Sequence, residues 1–151
     1  MPTVRVRRPG LLTTVQDLGR PGLGRFGVSP SGTMDPFAVR VANRLAGNDD
    51  GAATLEVTAV GPEIEFVDAT VVALGGGNLR AVLDGVPIEP WTAVAARAGA
   101  ILRFGGRLRG ARCYVAFAGG VRVPNVLGSA ATDLEAGIGG IEGRALRSGD
   151  E

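Results

Sequence analysis

Polar and flexible residues that could do chemistry are concentrated between residues 14 and 48, in the stretch TVQDLGRPGLGRFGVSPSGTMDPFAVRVANRLAGN. Gln16, Asp17 and Arg20 precede a glycine-rich loop, and Asp35 follows it. A carboxylate can accept a proton, whereas guanidinium and backbone N–H groups can stabilise a developing negative charge. This combination predicts a functional site rather than a segment of hydrophobic core.

One helix is predicted beside these residues. Asp35 is a favourable N-cap, Pro36 suits the first helical position, and Gly47 is a typical left-handed stop. Apolar residues recur between them at helical spacing, which predicts an amphipathic helix over about 36–46. Its N-terminus would direct backbone donors toward the loop at 29–34, where an anionic group could bind. The alternative is that Asp35 already satisfies those donors.

The loop itself contains Gly22, Gly24 and Gly27 in the spacing G-x-G-x-x-G. A dinucleotide-binding fingerprint needs a hydrophobic strand before the first glycine and a helix that begins within the motif. Here Gly-Arg-Pro precedes the motif, and no helix is predicted before Pro36. The spacing therefore predicts a tightly turned loop and not a nucleotide site.

The missing residue types exclude several chemistries. The chain has no histidine, and all 16 of its basic residues are arginine. It therefore cannot contain a Ser-His-Asp triad, a histidine-ligated metal, a Schiff-base lysine or a P-loop lysine. The single cysteine, Cys113, lies in an apolar run and is predicted to be buried and inert. No metal site is expected.

The formal net charge of +1 gives no reason to expect nucleic-acid binding. Between residues 97 and 122, however, six arginines occur without any carboxylate. These arginines could meet a phosphate or an acidic partner, or they could occupy the solvated faces of hairpins. The apolar segment near the N-terminus is too short for a signal peptide or a membrane span, so a cytoplasmic location is expected.

Short strands are predicted for most of the chain after the helix, because apolar residues alternate with polar ones or form brief runs. Asp84 and Gly85 separate two such runs and predict a hairpin. Many short strands with one helix favour a mainly β barrel. The predicted strands are 55–60, 63–66, 71–74, 81–83, 86–88, 101–104 and 113–117. The glycines at 75–77 are predicted either to bring backbone donors near a ligand or to make a tight bend.

Ordered motifs along almost the whole chain resemble the carboxyltransferase-type family. The matching segments are T-V-Q-D-x-G-R-x-G at 14–22, G-V-x-x-S-G-x-M-D at 27–35, A-N-x-L-x-G-N at 42–48, L-E-x-T-x-x-G-P at 55–62, Y-V-A-F-A-G-G-V at 114–121, L-G-S-x-x-T-D-L at 127–134 and G-G-x-x-G-R-x-L-x-x-G-D at 139–150. This family includes the C subunit of 5-oxoprolinase, the carboxyltransferase region of urea carboxylase, proteins called allophanate hydrolase subunit 2, and the antagonist of a sporulation-kinase inhibitor.

The resemblance implies a cyclophilin-like β-barrel, commonly built in this family as two related halves. Residues 1–151 resemble the N-terminal half of a usual family chain. The function implied first is that of a component like the C subunit of an ATP-dependent 5-oxoprolinase, which opens the lactam of 5-oxoproline to give glutamate. Other subunits of such a complex are expected as partners, and ATP is expected as a cofactor that could be held by a partner subunit.

Two alternatives remain open at this point. One is a biotin-dependent carboxyltransferase component of a system like urea carboxylase or allophanate hydrolase, in which biotin would have to be carried by another domain because this chain has no lysine. The other is a non-catalytic partner that regulates the other subunit. Contacts with nucleic acid or membranes are not expected in any of the three.

For lactam opening, Asp17 or Asp35 is the candidate proton acceptor, and Arg20 with the Ser31 loop is the candidate source of donors for the lactam oxygen. The alternative is that Asp17 and Arg20 pair to stabilise a turn. Residues within the matched motifs are the candidate substrate contacts: Gln16, Ser31, Met34, Asn43, Ser129, Thr132 and Asp133. The last three could instead cap a turn.

Overall fold

A computed structural model describes residues 1–151. It contains one α-helix, one 3₁₀ turn at Gly24–Phe26 and ten strands. In chain order these elements are β1 (Val4–Arg8), β2 (Leu12–Gln16), α1 (Pro36–Ala46), β3 (Thr54–Thr58), β4 (Glu63–Phe66), β5 (Thr70–Asn78), β6 (Ala81–Leu83), β7 (Val86–Ile88), β8 (Thr92–Ala96), β9 (Ile101–Phe104) and β10 (Arg109–Phe117).

The strands form two antiparallel five-stranded sheets, with the orders β1-β4-β9-β6-β7 and β2-β3-β10-β5-β8. The sheets enclose a core of 20 buried residues to which both contribute. Ile64 and Leu102 come from the first sheet, and Leu74 and Val115 from the second. The expected mainly β, barrel-like architecture with one principal helix is confirmed.

Helix α1 has the predicted bounds, and its predicted ends are confirmed. Asp35 Oδ1 accepts a hydrogen bond of 3.0 Å from the N–H of Ala38, and Gly47 ends the helix with a φ of 81°. The helix covers the outer face of the second sheet, where Ala38 lies close to Gly75 of β5: a Cβ at Gly75 would lie 2.7 Å from the Ala38 carbonyl oxygen. The second sheet is therefore packed on both faces.

The hairpin prediction is also confirmed, since Asp84 and Gly85 join β6 to β7 with left-handed φ values of 47° and 85°. Strands β4, β6, β7 and β9 have the predicted bounds, and Cys113 is buried as predicted. No helix in the structure is long and apolar enough to cross a bilayer.

The predicted strand set was incomplete. Strands β1, β2 and β8 were missed, and β5 and β10 extend beyond their predicted bounds. Strand β2 overlaps the start of the segment that was predicted to be a site, and its Thr and Gln side chains become buried through tertiary contacts. Strand β5 continues through the glycines because their backbones still pair with β10, so the predicted tight bend at 75–77 is wrong.

Candidate functional site

The second sheet carries the polar residues of interest on the face covered by α1. In the register of the strands, Thr14 of β2 lies opposite Glu56 of β3, which lies opposite Tyr114 of β10, which lies opposite Gly75 of β5. Cross-strand partners project to the same side of a sheet. Two polar clusters lie on or beside this face, joined by the chain between residues 17 and 34.

The first cluster is centred on Asp17, whose carboxylate and backbone carbonyl both accept hydrogen bonds. Its carboxylate accepts hydrogen bonds from the N–H of Gly19 at 2.8 Å, the hydroxyl of Ser129 at 2.6 Å and the N–H of Ala130 at 2.7 Å. The backbone carbonyl of Asp17 also accepts the N–H of Thr33 at 3.0 Å. Asp17 therefore anchors the glycine-rich loop to the segment that contains Ser129.

Arg20 does not pair with Asp17, so the predicted turn-stabilising pair is wrong. Arg20 is 2% exposed, and its guanidinium instead donates to the carbonyl oxygens of Val126 at 3.1 Å and Ala131 at 2.5 Å. Its Nη1 atom is buried without a partner. The reason is geometric: the side chain extends across the loop to a segment more than 100 residues later, where two backbone carbonyls accept its N–H groups.

Three further predicted residues join this cluster. Gln16 donates from Nε2 to the carbonyl of Thr132 at 3.1 Å, and the Thr132 hydroxyl donates to the carbonyl of Val15 at 2.9 Å. Asp133 accepts the N–H groups of the next turn through Oδ1, which matches the turn-capping alternative. The structure thus brings six of the predicted residues together, all buried or half-buried: Gln16, Asp17, Arg20, Ser129, Thr132 and Asp133.

The second cluster is centred on Glu56 and Tyr114. Glu56 Oε2 accepts the Tyr114 hydroxyl at 2.9 Å and the N–H of Met34 at 2.9 Å. The Tyr114 oxygen in turn accepts the N–H of Asp35 at 3.0 Å. Burial raises the pKa of the Tyr114 phenol well above its ordinary value, a shift that the neighbouring Glu56 carboxylate adds to. A neutral phenol thus stays available to link the carboxylate to the loop before α1.

An open cleft of about 490 Å³ lies above this second cluster. It is lined by Met34, Asp35, Gly76, Gly77, Trp91, Arg109, Gly110, Ala111, Arg112 and Tyr114. The strand register shifts between Arg109 and Cys113, opposite the glycines of β5. A Cβ at Gly77 would lie 2.9 Å from two carbonyl oxygens of β10, so the absence of a side chain there keeps the bulge and the cleft open.

The charged side chains of the cleft differ in how they are engaged. Arg112 Nε lies 3.5 Å from Glu56 Oε1 and has no hydrogen-bond partner, although it is buried. Asp35 caps the helix and is exposed. Arg109 is exposed and forms neither an ion pair nor a side-chain hydrogen bond, which leaves all of its donors free. The cleft can therefore receive a small polar ligand with a negative group.

The remaining predicted residues lie in different places. Met34 lines the cleft, and Ser31 lies in the loop beside it with a left-handed φ of 49°. Asn43 is fully buried within α1, where Nδ2 donates to the carbonyl of Ala52 at 2.8 Å and Oδ1 accepts from Asn48. Asn43 therefore holds the chain after the helix and presents no surface to a ligand.

Sequence reasoning did not assign Glu56, Tyr114, Trp91, Arg109 or Arg112 to the site. The glycines at 75–77 were a signal, since one reading placed backbone donors near a ligand there. The spacing of Arg112 and Tyr114 shows that they share a face of a strand. The sequence does not show that this strand pairs with β3 and β5, and this pairing is what brings the residues together.

Residues 26–151 match the sequence family described as "Carboxyltransferase domain, subdomain A and B". The chain belongs to this family. This carboxyltransferase-domain protein is 42% identical over 147 residues to the C subunit of 5-oxoprolinase from Escherichia coli, and the alignment covers 97% of this chain and 47% of that protein. It is 41% identical over 148 residues to urea amidolyase of Saccharomyces cerevisiae, covering 97% of this chain and 8% of that protein.

Solved structures agree with these relationships. The K. lactis urea amidolyase superposes with a TM-score of 0.94 at 40% identity, covering 97% of this chain and 9% of that one. The protein TTHA0988 superposes with a TM-score of 0.91 at 39% identity, covering 98% of this chain and 54% of that one. The chain thus spans about half of the bacterial subunit and less than a tenth of the yeast amidolyases. By their names, the Escherichia coli relative is a subunit of 5-oxoprolinase and the yeast relatives are urea amidolyases.

Proposed function

We propose that this chain is a component of an ATP-dependent 5-oxoprolinase complex that hydrolyses 5-oxoproline to glutamate. The observation that carries the proposal is the 42% identity to the C subunit of a 5-oxoprolinase over 97% of this chain. The match spans 47% of a protein that is itself named as a subunit, whereas in urea amidolyase it spans only 8%.

The geometry of the cleft supports an anionic lactam as substrate. Opening a lactam needs hydrogen-bond donors at the carbonyl oxygen and a group that moves a proton. The side chain of Arg112 is 35% exposed and lines the cleft, and Asp35 is an exposed carboxylate that also lines it. We assign the donor role to Arg112 and the proton-acceptor role to Asp35.

Asp17 and Arg20, the other candidate catalytic residues, have different roles in this proposal. The Asp17 carboxylate and the Arg20 guanidinium hold residues 17–20 against residues 126–131 by four hydrogen bonds. We therefore assign them to positioning the loop that ends at Met34 and Asp35. The loop carries this effect to the cleft through the bond between Thr33 N–H and the Asp17 carbonyl.

We propose that this chain alone does not hold ATP. The glycine-rich segment that could cradle phosphates forms a 3₁₀ turn at Gly24–Phe26, followed by a left-handed Gly27, and the chain has no lysine to reach a phosphate. We therefore assign ATP to a partner subunit.

Carboxyl transfer is the second candidate, because the identity to urea amidolyase is 41% and the structural superposition reaches a TM-score of 0.94. In that case a partner would carry biotin on its own lysine, and the cleft would hold a neutral urea-like substrate. A purely regulatory role would retain partner binding without any turnover.

The deciding experiment measures glutamate release from 5-oxoproline and ATP by the partner subunits of the same source. The partners are assayed alone, with this chain, and with a form extended to the length of the bacterial relative. The proposal expects release that depends on the added chain. If neither form supports release but a biotin carrier supports carboxylation of urea, the second candidate replaces the first.

A matched pair of variants tests the role of Asp35. Asp35→Asn keeps an effective N-cap while it removes the proton acceptor, so release should fall by about 10²- to 10⁴-fold with the fold intact. Asp49→Asn makes the same change on an exposed carboxylate that forms no side-chain hydrogen bond, and it should retain full activity. Equal activity of the two variants would remove Asp35 from the mechanism.

A further inference from the structure

The arginines between residues 97 and 122 are not equivalent. Arg97 pairs with Asp84 at 2.8 Å, and Arg103 pairs with Glu63 at 3.1 Å. Arg112 lies against Glu56. Three others, Arg107, Arg109 and Arg122, form no ion pair, and among these only Arg109 lines the cleft that also contains an aromatic ring.

The acidic groups near Arg109 are already engaged. Glu56 accepts two hydrogen bonds and lies against Arg112. Glu89 accepts the side-chain amide of Asn78 at 3.2 Å and does not form an ion pair with Arg109. Asp35 caps the helix, whose positive end offsets part of its charge. No carboxylate of the protein therefore occupies the Arg109 guanidinium, which is free to bind an external anion.

Trp91 provides the second wall of this part of the cleft. It is 44% exposed, has a left-handed φ of 67°, and packs against Phe37 with ring centroids 6.1 Å apart. A bulky residue with positive φ costs free energy, which the surrounding contacts must offset. The result is an indole ring held at the cleft with a substantial exposed area.

We propose that Arg109 and Trp91 form a subsite for a small ring-bearing carboxylate, in which Arg109 binds the carboxylate and Trp91 packs against the ring. The inference rests on the proposed function and deepens it, since 5-oxoproline joins a carboxylate to a flat five-membered lactam. A guanidinium fork matches a carboxylate through two parallel hydrogen bonds. The subsite therefore selects an anionic lactam over a neutral lactam or urea.

The test uses Trp91, the single tryptophan, as a fluorescent reporter in the full chain. The chain is titrated with 5-oxoproline and, separately, with 2-pyrrolidinone, which has the same ring without the carboxylate. We expect a saturable fluorescence change with 5-oxoproline and at least tenfold weaker binding of 2-pyrrolidinone. Arg109→Gln should weaken 5-oxoproline binding by about 10- to 100-fold, as expected for lost hydrogen bonds to a charged group.

Arg107→Gln is the matched control, because it removes the same charge from an exposed residue outside the cleft. It should bind 5-oxoproline as the unchanged chain does. Equal affinities of the Arg109→Gln and Arg107→Gln variants, equal affinities for the two ligands, or no saturable binding by the unchanged chain would each overturn the subsite.

Kinetics in the reconstituted complex separate this inference from the proposed function. If the complex releases glutamate, Arg109→Gln should raise KM for 5-oxoproline by about 10- to 100-fold with a smaller effect on kcat. If the complex releases no glutamate but the titration shows the Arg109-dependent preference, the proposed function fails and the subsite stands. If the complex releases glutamate but Arg109→Gln leaves both KM and the affinity for 5-oxoproline unchanged, the proposed function stands and the subsite is overturned.

Discussion

Replacing Tyr114 with phenylalanine removes the hydroxyl that links Glu56 of β3 to the backbone of Asp35. The hydroxyl donates to the Glu56 carboxylate at 2.9 Å and accepts the N–H of Asp35 at 3.0 Å. A hydrogen bond to a charged group contributes about 1.5–3 kcal/mol, and a neutral one about 1 kcal/mol. Thr33 Oγ1 remains as a second acceptor for the Asp35 N–H at 3.2 Å. We therefore expect Tyr114→Phe to lower the free energy of unfolding by about 2–4 kcal/mol.

The expected change in melting temperature follows from the length of the chain. A domain of 151 residues has an unfolding entropy of about 0.3 kcal/mol/K, so the loss corresponds to about 6–12 °C. Denaturant unfolding followed by circular dichroism and a thermal scan measure the two quantities independently. Glutamate release should fall as well, because the Met34 and Asp35 backbone loses an anchor.

Ser148→Ala is the control, since it also removes a single hydroxyl hydrogen bond, from Ser148 to the carbonyl of Arg7, but at an exposed site. It should cost less than about 1 kcal/mol. A double-mutant cycle of Tyr114→Phe with Glu56→Gln should give a coupling energy of about 1–2 kcal/mol. Stability of Tyr114→Phe within about 0.5 kcal/mol of the unchanged chain would refute this account of the cluster.

Three further predictions concern the rest of the chain. Denaturant unfolding should show that Gly139→Ala destabilises the chain by several kcal/mol and Gly137→Ala by only about 1–2 kcal/mol. Both glycines have a positive φ, but an added Cβ would meet a backbone carbonyl only at Gly139. Burial raises the pKa of the Cys113 thiol to about 12, so a thiol reagent at pH 8 should label the denatured chain far faster than the native one, and equal rates would contradict its burial. The hydrogen bonds from Arg144 lower the pKa of Asp150. The ionised Asp150 should therefore contribute its full stabilisation above the ordinary aspartate pKa near 4, and this contribution should be lost as the pH falls below that value. Melting scans across pH 2–6 should show that Asp150→Asn removes this part of the acid dependence.

Local chemistry made some elements predictable from the sequence. Asp35 and Gly47 give the ends of α1, because a capping carboxylate and a left-handed glycine act on neighbouring backbone groups. Asp84 and Gly85 determine their hairpin in the same way. The ordered family motifs also predicted the mainly β fold, whereas strand β8, made of small residues, lacked a periodic signal of its own.

Only the tertiary structure decided which polar residues meet. Asp17 bonds to Ser129 across 112 positions of the chain, and Glu56 bonds to Tyr114 across 58. Such contacts depend on the register of paired strands, and a shift by one residue would turn every side chain to the other face. The sequence by itself determined the helix, the tight hairpin and a set of polar candidates. Their division into a buried anchor around Asp17 and an open cleft around Arg109 was decided by sheet pairing, because local backbone preferences carry no information about a strand's distant partner.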